Sequence, residues 1–209
     1  MFFNNLSSCL KPLRQTALCL ALAALAVGCA SVSEQPDIAP ATASGTFHES
    51  IELSGRFSAS YLKDGREEAI HGGFHWLQNE KNTSITLLSP LGQTMANIDV
   101  TSTSSTLTAS GQNPRTAANP DALAVASLGW PLPVSGLRQW LQGRALDTQG
   151  HRFIASPVHK DVSTQDGWHL HYPAWTEAGT PKRIDLERNA DGVNLTLRFV
   201  IDTWQPRGN

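Results

Sequence analysis

Apolar and polar residues alternate strictly from Ile51 onward. Ile51, Leu53, Gly55, Phe57, Ala59 and Tyr61 fall on one face of an extended segment, and Glu52, Ser54, Arg56, Ser58 and Ser60 on the other. That is the period of a half-buried strand. Asp64-Gly65 supplies a hairpin turn, after which residues 67–78 repeat the pattern with Ile70, Gly72, Phe74 and Trp76 on the apolar face. Residues 83–89 and 93–100 read as two further strands, the second alternating Thr94, Ala96, Ile98 and Val100, and residues 105–110 as a weaker one. Segments of this kind, apolar on one face and polar on the other, predict an antiparallel meander.

The period changes in the middle of the chain. Asn119-Pro120 is a cap followed by a proline suited to the first helical position, and Gly129 is a stop. Between them Leu123, Val125 and Leu128 have few polar neighbours, which predicts a mostly buried helix. Trp130-Pro131-Leu132-Pro133 makes a stiff connector. A second short helix follows, with Ser135 as its cap, Leu137, Trp140 and Leu141 at i, i+3, i+4, and Gly143 at its end. Residues 152–156, 167–172, 182–188 and 193–204 return to β. The last of these alternates Val193, Leu195, Leu197, Phe199 and Ile201, and Asn189-Ala190-Asp191-Gly192 turns the chain into it. The expected fold is therefore mainly β. About ten strands form a single curved antiparallel sheet, more than usually stays open without curling. It becomes an incomplete β-barrel whose opening the two short α-helices cover. Two helices cannot fill such a sheet, so a residual apolar cavity is expected.

The N-terminus reads differently. Lys11 and Arg14 precede an uncharged apolar run over residues 17–27, the layout of a bacterial secretory signal. The run is too short to span a bilayer, which needs roughly 20 residues. Ala26-Val27-Gly28 before Cys29 resembles a lipobox, with Ala26 where Leu is commonest, so Cys29 is expected to carry the lipid. By the same resemblance Ala30, rather than Asp, after that cysteine points to the outer membrane. Residues 30–45 are rich in Ala, Ser, Thr and Pro without a hydrophobic period and read as a flexible tether reaching roughly 20–25 Å. The expected organisation is a cleaved signal over residues 1–28, a lipidated terminus and tether over 29–46, and one folded domain over 47–206.

Charge and cysteine use narrow the function. The signal removes two of 16 Lys and Arg and none of the 18 acids, leaving a net charge of roughly −4. A surface this acidic and sparsely charged excludes broad electrostatic binding of nucleic acid. Six Trp and 40% hydrophobic residues exclude wholesale disorder. Cys9 and Cys19 leave with the signal, so Cys29 is the one thiol of the mature chain. Internal disulfides and Cys-ligated zinc or iron–sulfur centres are excluded with them.

Catalytic signatures are missing: no G-x-S-x-G, H-E-x-x-H, P-loop or dinucleotide fingerprint occurs. Asp64, Glu67, Glu68, Asp161 and Asp166 sit at strand edges and turns, where solvated charge is the default. His169 and His171 share one strand face, as do His71 and His75. They read as polar-face residues, so neither a metal site nor a cofactor is assigned. Ser89-Pro90-Leu91-Gly92 joins two strands, with Pro90 at the second turn position and Gly92 at the exit. Leu91 then sits at a loop tip, where it either protrudes or folds back onto the sheet.

Four features together resemble one known family. They are Gly28-Cys29, Leu53-Ser54-Gly55-Arg56-Phe57, Leu87-Leu88-Ser89-Pro90-Leu91-Gly92, and Gly129-Trp130-Pro131-Leu132-Pro133 leading into Leu137-Arg138-Gln139-Trp140-Leu141-Gln142-Gly143. The chain resembles the LolB family, outer-membrane receptors of the lipoprotein localisation pathway, over residues 29–204. The resemblance implies an incomplete barrel that takes acylated lipoproteins from a soluble periplasmic carrier resembling LolA. It implies an apolar cavity for their acyl chains and their insertion into the inner leaflet of the outer membrane. It also implies a protruding loop with an exposed apolar residue, matched here by Leu91 between Pro90 and Gly92. Phe57, Phe74, Trp76, Leu87, Trp130, Leu137, Trp140 and Leu141 are the expected cavity lining. The expected protein is a monomeric, lipid-anchored, periplasm-facing receptor without catalytic residues or cofactor. The rival reading is a structural or assembly lipoprotein that docks a protein partner through an apolar surface.

Overall fold

The computed structural model describes residues 46–63, 65–190 and 193–207. The signal, Cys29 and all but the last residue of the tether lie outside the described residues, as do Asp64 of the first turn and Asp191-Gly192 of the last. The chain runs β1 (Ile51–Lys63), β2 (Arg66–Gln78), β3 (Thr83–Leu88), β4 (Thr94–Val100), β5 (Ser105–Ala109) and β6 (Arg115–Ala117). Helices α1 (Pro120–Leu128) and α2 (Val134–Trp140) follow. Then come β7 (Arg144–Leu146), β8 (Arg152–Ile154), β9 (Asp161–Ser163), β10 (His169–Trp175), β11 (Pro181–Ala190) and β12 (Val193–Pro206).

Ten strands form one antiparallel sheet in the order β6-β5-β4-β3-β2-β1-β12-β11-β10-β9, and β7-β8 is a separate hairpin. The outermost strands, β6 and β9, do not pair with each other, so the sheet stays an unclosed barrel. The first and last long strands meet at its centre. Phe57 on β1 stands opposite Gly72 on β2 and Phe199 on β12, and Leu53 opposite Trp76 and Trp204. This register puts the alternating apolar positions of three strands on one face, because a strand side chain repeats every second residue. Between Ser54 and Gly55 the register of β1 against β12 slips. A Cβ on Gly55 would lie 2.0 Å from the Val200 carbonyl oxygen, so only glycine admits this approach.

On the polar face Asp185 accepts hydrogen bonds from Arg183 at 2.6 Å and Arg198 at 2.9 Å. Burial pushes the Asp185 carboxyl up, but the two guanidinium groups outweigh it and hold it below the usual carboxylate range. A carboxyl depressed in the folded state adds stability above its unfolded pKa, which is lost as pH falls through the folded value. Asp185→Asn is therefore expected to cost on the order of 1 kcal/mol at neutral pH. Thermal melts taken across pH should show the gap closing below the usual carboxylate range; a gap that persists in acid would contradict this account.

The helices cover the apolar face. Asn119 caps α1, its side-chain oxygen accepting N–H groups of Asp121 at 2.9 Å and Ala122 at 3.0 Å, and the helix ends at Gly129. Leu123 and Ala124 are buried, but Val125 is 46% exposed. The expectation of a mostly buried helix is corrected: α1 packs along β5 and β6 at one side of the sheet, which covers a single stripe. Ser135 is not a cap either. Pro133 holds the N-cap position of α2 without a side-chain hydrogen bond. Ser135 instead directs its N–H, at 3.0 Å, and its hydroxyl to the Asp121 carboxylate, tying the two helices together. Three strands escaped the sequence reading, β6, β7 and β9. Each has three residues, too few to display an alternation.

Candidate functional site

The eight expected lining residues converge in one apolar body between sheet and helices. Phe57, Phe74, Trp76, Leu87, Trp130, Leu137, Trp140 and Leu141 are all buried. Phe57 stacks on Trp130 at 6.2 Å and on Phe199 at 6.3 Å, Tyr61 stacks on Trp130 at 6.5 Å, and Phe74 meets Phe199 edge-on at 5.4 Å. Trp140 lies 6.0 Å from Trp168. These side chains pack against one another in the core. Trp130, on the connector between the helices, therefore rests on aromatic rings of β1.

Helix α2 is bolted across this body at three points, and hydrophobic patterning gave no sign of them. Arg138 donates to the Thr83 hydroxyl at 3.0 Å and to the Asn79 carbonyl at 2.6 Å, and pairs with Glu49 at 3.1 Å. The buried Gln142 accepts the His48 N–H at 2.9 Å and donates to the His48 carbonyl at 3.0 Å. Gln78 donates to the same carbonyl and accepts from the indole of Trp76. The Tyr172 hydroxyl donates to the Trp140 carbonyl at 3.0 Å, and burial pushes that phenol well above its ordinary range. The available signal was Arg138 and Gln142 themselves, two polar residues four positions apart beside the apolar Leu137, Trp140 and Leu141.

The loop between β3 and β4 is a closed turn. The Ser89 carbonyl accepts the Gly92 N–H at 2.9 Å, the Ser89 N–H reaches the Gln93 carbonyl at 2.7 Å, and the Ser89 hydroxyl accepts the Gln93 N–H at 3.2 Å. Gly92 adopts φ 78°, a conformation that other residues resist. With both flanks fixed, Leu91 protrudes and is 87% exposed, which decides between the two readings left by the sequence. Behind the turn lies a groove of about 450 Å³ lined by Phe57, Gly72, Gly73, Leu88, Ser89, Pro90 and Gly92, together with Arg56 and His71. The groove is mostly apolar, and its Phe57 also belongs to the aromatic body.

His75, His169 and His171 meet carboxylates on the polar face. Asp161 lies 2.6 Å from His171 and 3.8 Å from His169, a carboxylate that sequence distance had concealed, and Glu52 lies 2.7 Å from His75. Among the described residues no group of three or more His, Cys, Asp or Glu is placed to hold a metal ion.

An open ten-stranded sheet, an aromatic interior under a bolted helix and a leucine presented on a tight turn define a protein that works through apolar surfaces. The family profile of outer membrane lipoprotein LolB matches residues 49–204, and the chain belongs to that family, one of lipoprotein receptors and not of enzymes. It is 37% identical over 196 residues to an outer-membrane lipoprotein LolB of Cupriavidus necator, covering 92% of this chain and 98% of that one. To the LolB of Cupriavidus taiwanensis it is 38% identical over 206 residues, with 92% and 98% covered. Among solved structures, a LolA superfamily protein from Nitrosomonas europaea is similar with TM-score 0.41 and 11% identity, covering 78% of this chain and 88% of that one.

Proposed function

We propose that this protein is an outer-membrane lipoprotein receptor, anchored through acylated Cys29 and facing the periplasm. As a monomer without a cofactor, it accepts acylated lipoproteins from a periplasmic carrier resembling LolA. It then inserts them into the inner leaflet of the outer membrane. The observation that carries this reading is Leu91, 87% exposed on a turn whose groove runs back to Phe57. An apolar side chain held in water on a closed turn has a use if a lipid surface or acyl chain receives it.

The energetics define the task. Three acyl chains contain about forty methylenes, and at ~0.8 kcal/mol each their exposure to water costs on the order of 30 kcal/mol. Cargo must therefore pass from one apolar enclosure to another. The aromatic body supplies the enclosure, with Phe57, Phe74, Trp76, Leu87, Trp130, Leu137, Trp140 and Leu141 as its walls. The bolts on α2 keep that helix in place. Room for acyl chains comes from the side of α1 and Trp130, where the cover is held by stacking and by a single stripe of packing. The reading is tested by mixing the receptor with a carrier preloaded with an acylated lipoprotein. Cargo is expected to co-purify with the receptor without ATP; cargo that stays on a competent carrier in the presence of folded receptor overturns it.

A further inference from the structure

Away from the interior, the exposed apolar side chains cluster. Among the described residues the large hydrophobics that stand exposed are Leu62, Leu91, Val125, Leu146, Ile154 and Val158, and the last three lie within fifteen residues of sequence. The same stretch carries Arg144, Arg152 and Lys160 with one acid, Asp147. That carboxylate is engaged by the N–H groups of Gln149 and His151 and by the His151 ring. In a chain whose acids outnumber its Lys and Arg, 18 to 16, this is a local basic and apolar surface.

The hairpin register explains how it is built. Arg144 stands opposite Ile154, and Leu146 opposite Arg152, so cation and hydrophobe alternate on one face of β7–β8. Ala145 and Phe153 point the other way, the first buried and the second stacked on Tyr172 at 6.4 Å. The outward face borders a pocket of about 430 Å³ that also takes in Phe47 and Glu49, and the Arg144 guanidinium lies 5.4 Å above the Phe47 ring. The face thus sits where the tether joins the domain. The next turn, Ser156-Pro157-Val158-His159, is made like the Leu91 turn. The Ser156 carbonyl accepts the His159 N–H at 3.1 Å, and Val158 is 83% exposed.

We infer that Arg144, Leu146, Arg152, Ile154 and Val158 form a docking surface for a leaflet of anionic phospholipid. The inference rests on the anchoring of Cys29 proposed above. Alternating cation and hydrophobe match the boundary between headgroup and acyl chain, where basic residues meet phosphate and apolar ones sink between the chains. The tether expected over residues 30–45, about 16 residues with a reach of roughly 20–25 Å, would join the domain beside this face and keep it near the bilayer. Leu91 is at the other end of the strands. Thr83 is level with Ile51 through Gln78, and β3 runs from there through Leu88, roughly 20 Å away. Docking through β7–β8 is therefore a resting pose that holds Leu91 at the remote end, and delivery requires the domain to turn over on its tether.

The test uses the lipidated full chain carrying Val158→Cys, whose new thiol is free while Cys29 is acylated. A fluorophore on that thiol is read against spin-labelled lipid in vesicles of phosphatidylcholine, with or without phosphatidylglycerol, in the absence of cargo and carrier. Quenching is expected with phosphatidylglycerol and not with phosphatidylcholine alone. Arg152 is exposed and makes no ion pair among the described residues, so Arg152→Glu leaves the fold intact, as circular dichroism would verify. This two-charge change is expected to lower the docking equilibrium roughly 25-fold, at about fivefold per charge, with Arg152→Gln intermediate. A Val158 probe that stays unquenched, or is quenched equally in both lipids and in Arg152→Glu, overturns the docking surface. Quenching by the labelled lipid that appears only once carrier protein is added does the same, in favour of a protein partner. Loss of cargo transfer with quenching intact overturns the receptor reading instead.

Discussion

Leu91→Glu is expected to lower delivery of lipoprotein from the receptor to liposomes by two to three orders of magnitude while leaving uptake from the carrier unchanged. Burying a leucine contributes roughly 2 kcal/mol, a factor of about 30 in rate if the contact forms in the transition state of transfer. A carboxylate at the same tip meets a lipid surface that disfavours charge by at least a comparable amount. Neither term touches the folded state. Leu91 is 87% exposed, and the turn is closed by hydrogen bonds of Ser89, Gly92 and Gln93 that do not involve its side chain. On the proposed reading, uptake uses the aromatic body and not the tip. Labelled cargo followed separately onto the receptor and then into liposomes checks both halves. Wild-type delivery, or loss of uptake by a correctly folded variant, would remove Leu91 from the transfer step. Leu91→Ile keeps the apolar area and should deliver at near the parental rate.

The division between what was legible in the chain and what was not follows from the range of the interactions. β1 and β12 show themselves because each buries a single face, so every second residue reports the same environment. Asn119-Pro120 marks a helix start because capping is settled within three residues. Hidden features depend on distant partners. The Arg138 bond to Thr83 spans 55 positions and the Gln142 bond to His48 spans 94, and no local pattern encodes either. Asp161 meets His169 and His171 through β9, a strand too short to be read. Ser135 looked like a cap by residue type, yet Asp121 on the preceding helix competes for its hydroxyl. Burial of the eight candidate lining residues was legible for a plainer reason: a core and an acyl-chain enclosure call for the same side chains. Leu91 needed geometry, since its exposure depends on how tightly four neighbours close the turn.

Arg138→Met is expected to destabilise the domain by about 3 kcal/mol, in contrast to most surface substitutions. Hydrogen bonds to a charged donor contribute roughly 1.5–3 kcal/mol each, and Arg138 makes two short ones, to Thr83 and to the Asn79 carbonyl. Thr83 is buried, so its hydroxyl would be left without the guanidinium and away from water. The exposed pair with Glu49 adds little. At about 2–4 °C per kcal/mol for a domain of this size, the melting temperature should fall by roughly 6–12 °C. Methionine is the informative replacement because it keeps the aliphatic stem, so the loss measured belongs to the polar bolt. Gln142→Leu should also destabilise, since it strips the His48 N–H of its acceptor and leaves the His48 carbonyl to Gln78 alone. The same substitutions report on the moving part of the cover. If α2 is the fixed helix and the space for acyl chains opens beside Trp130, loosening α2 lets the aromatic body open without cargo. Binding of an apolar dye should then rise in Arg138→Met well below its melting temperature. A variant that melts within a degree or two of the parent would mean that α2 is held by packing alone. One that melts early yet binds no more dye would mean that loosening α2 does not open the aromatic body.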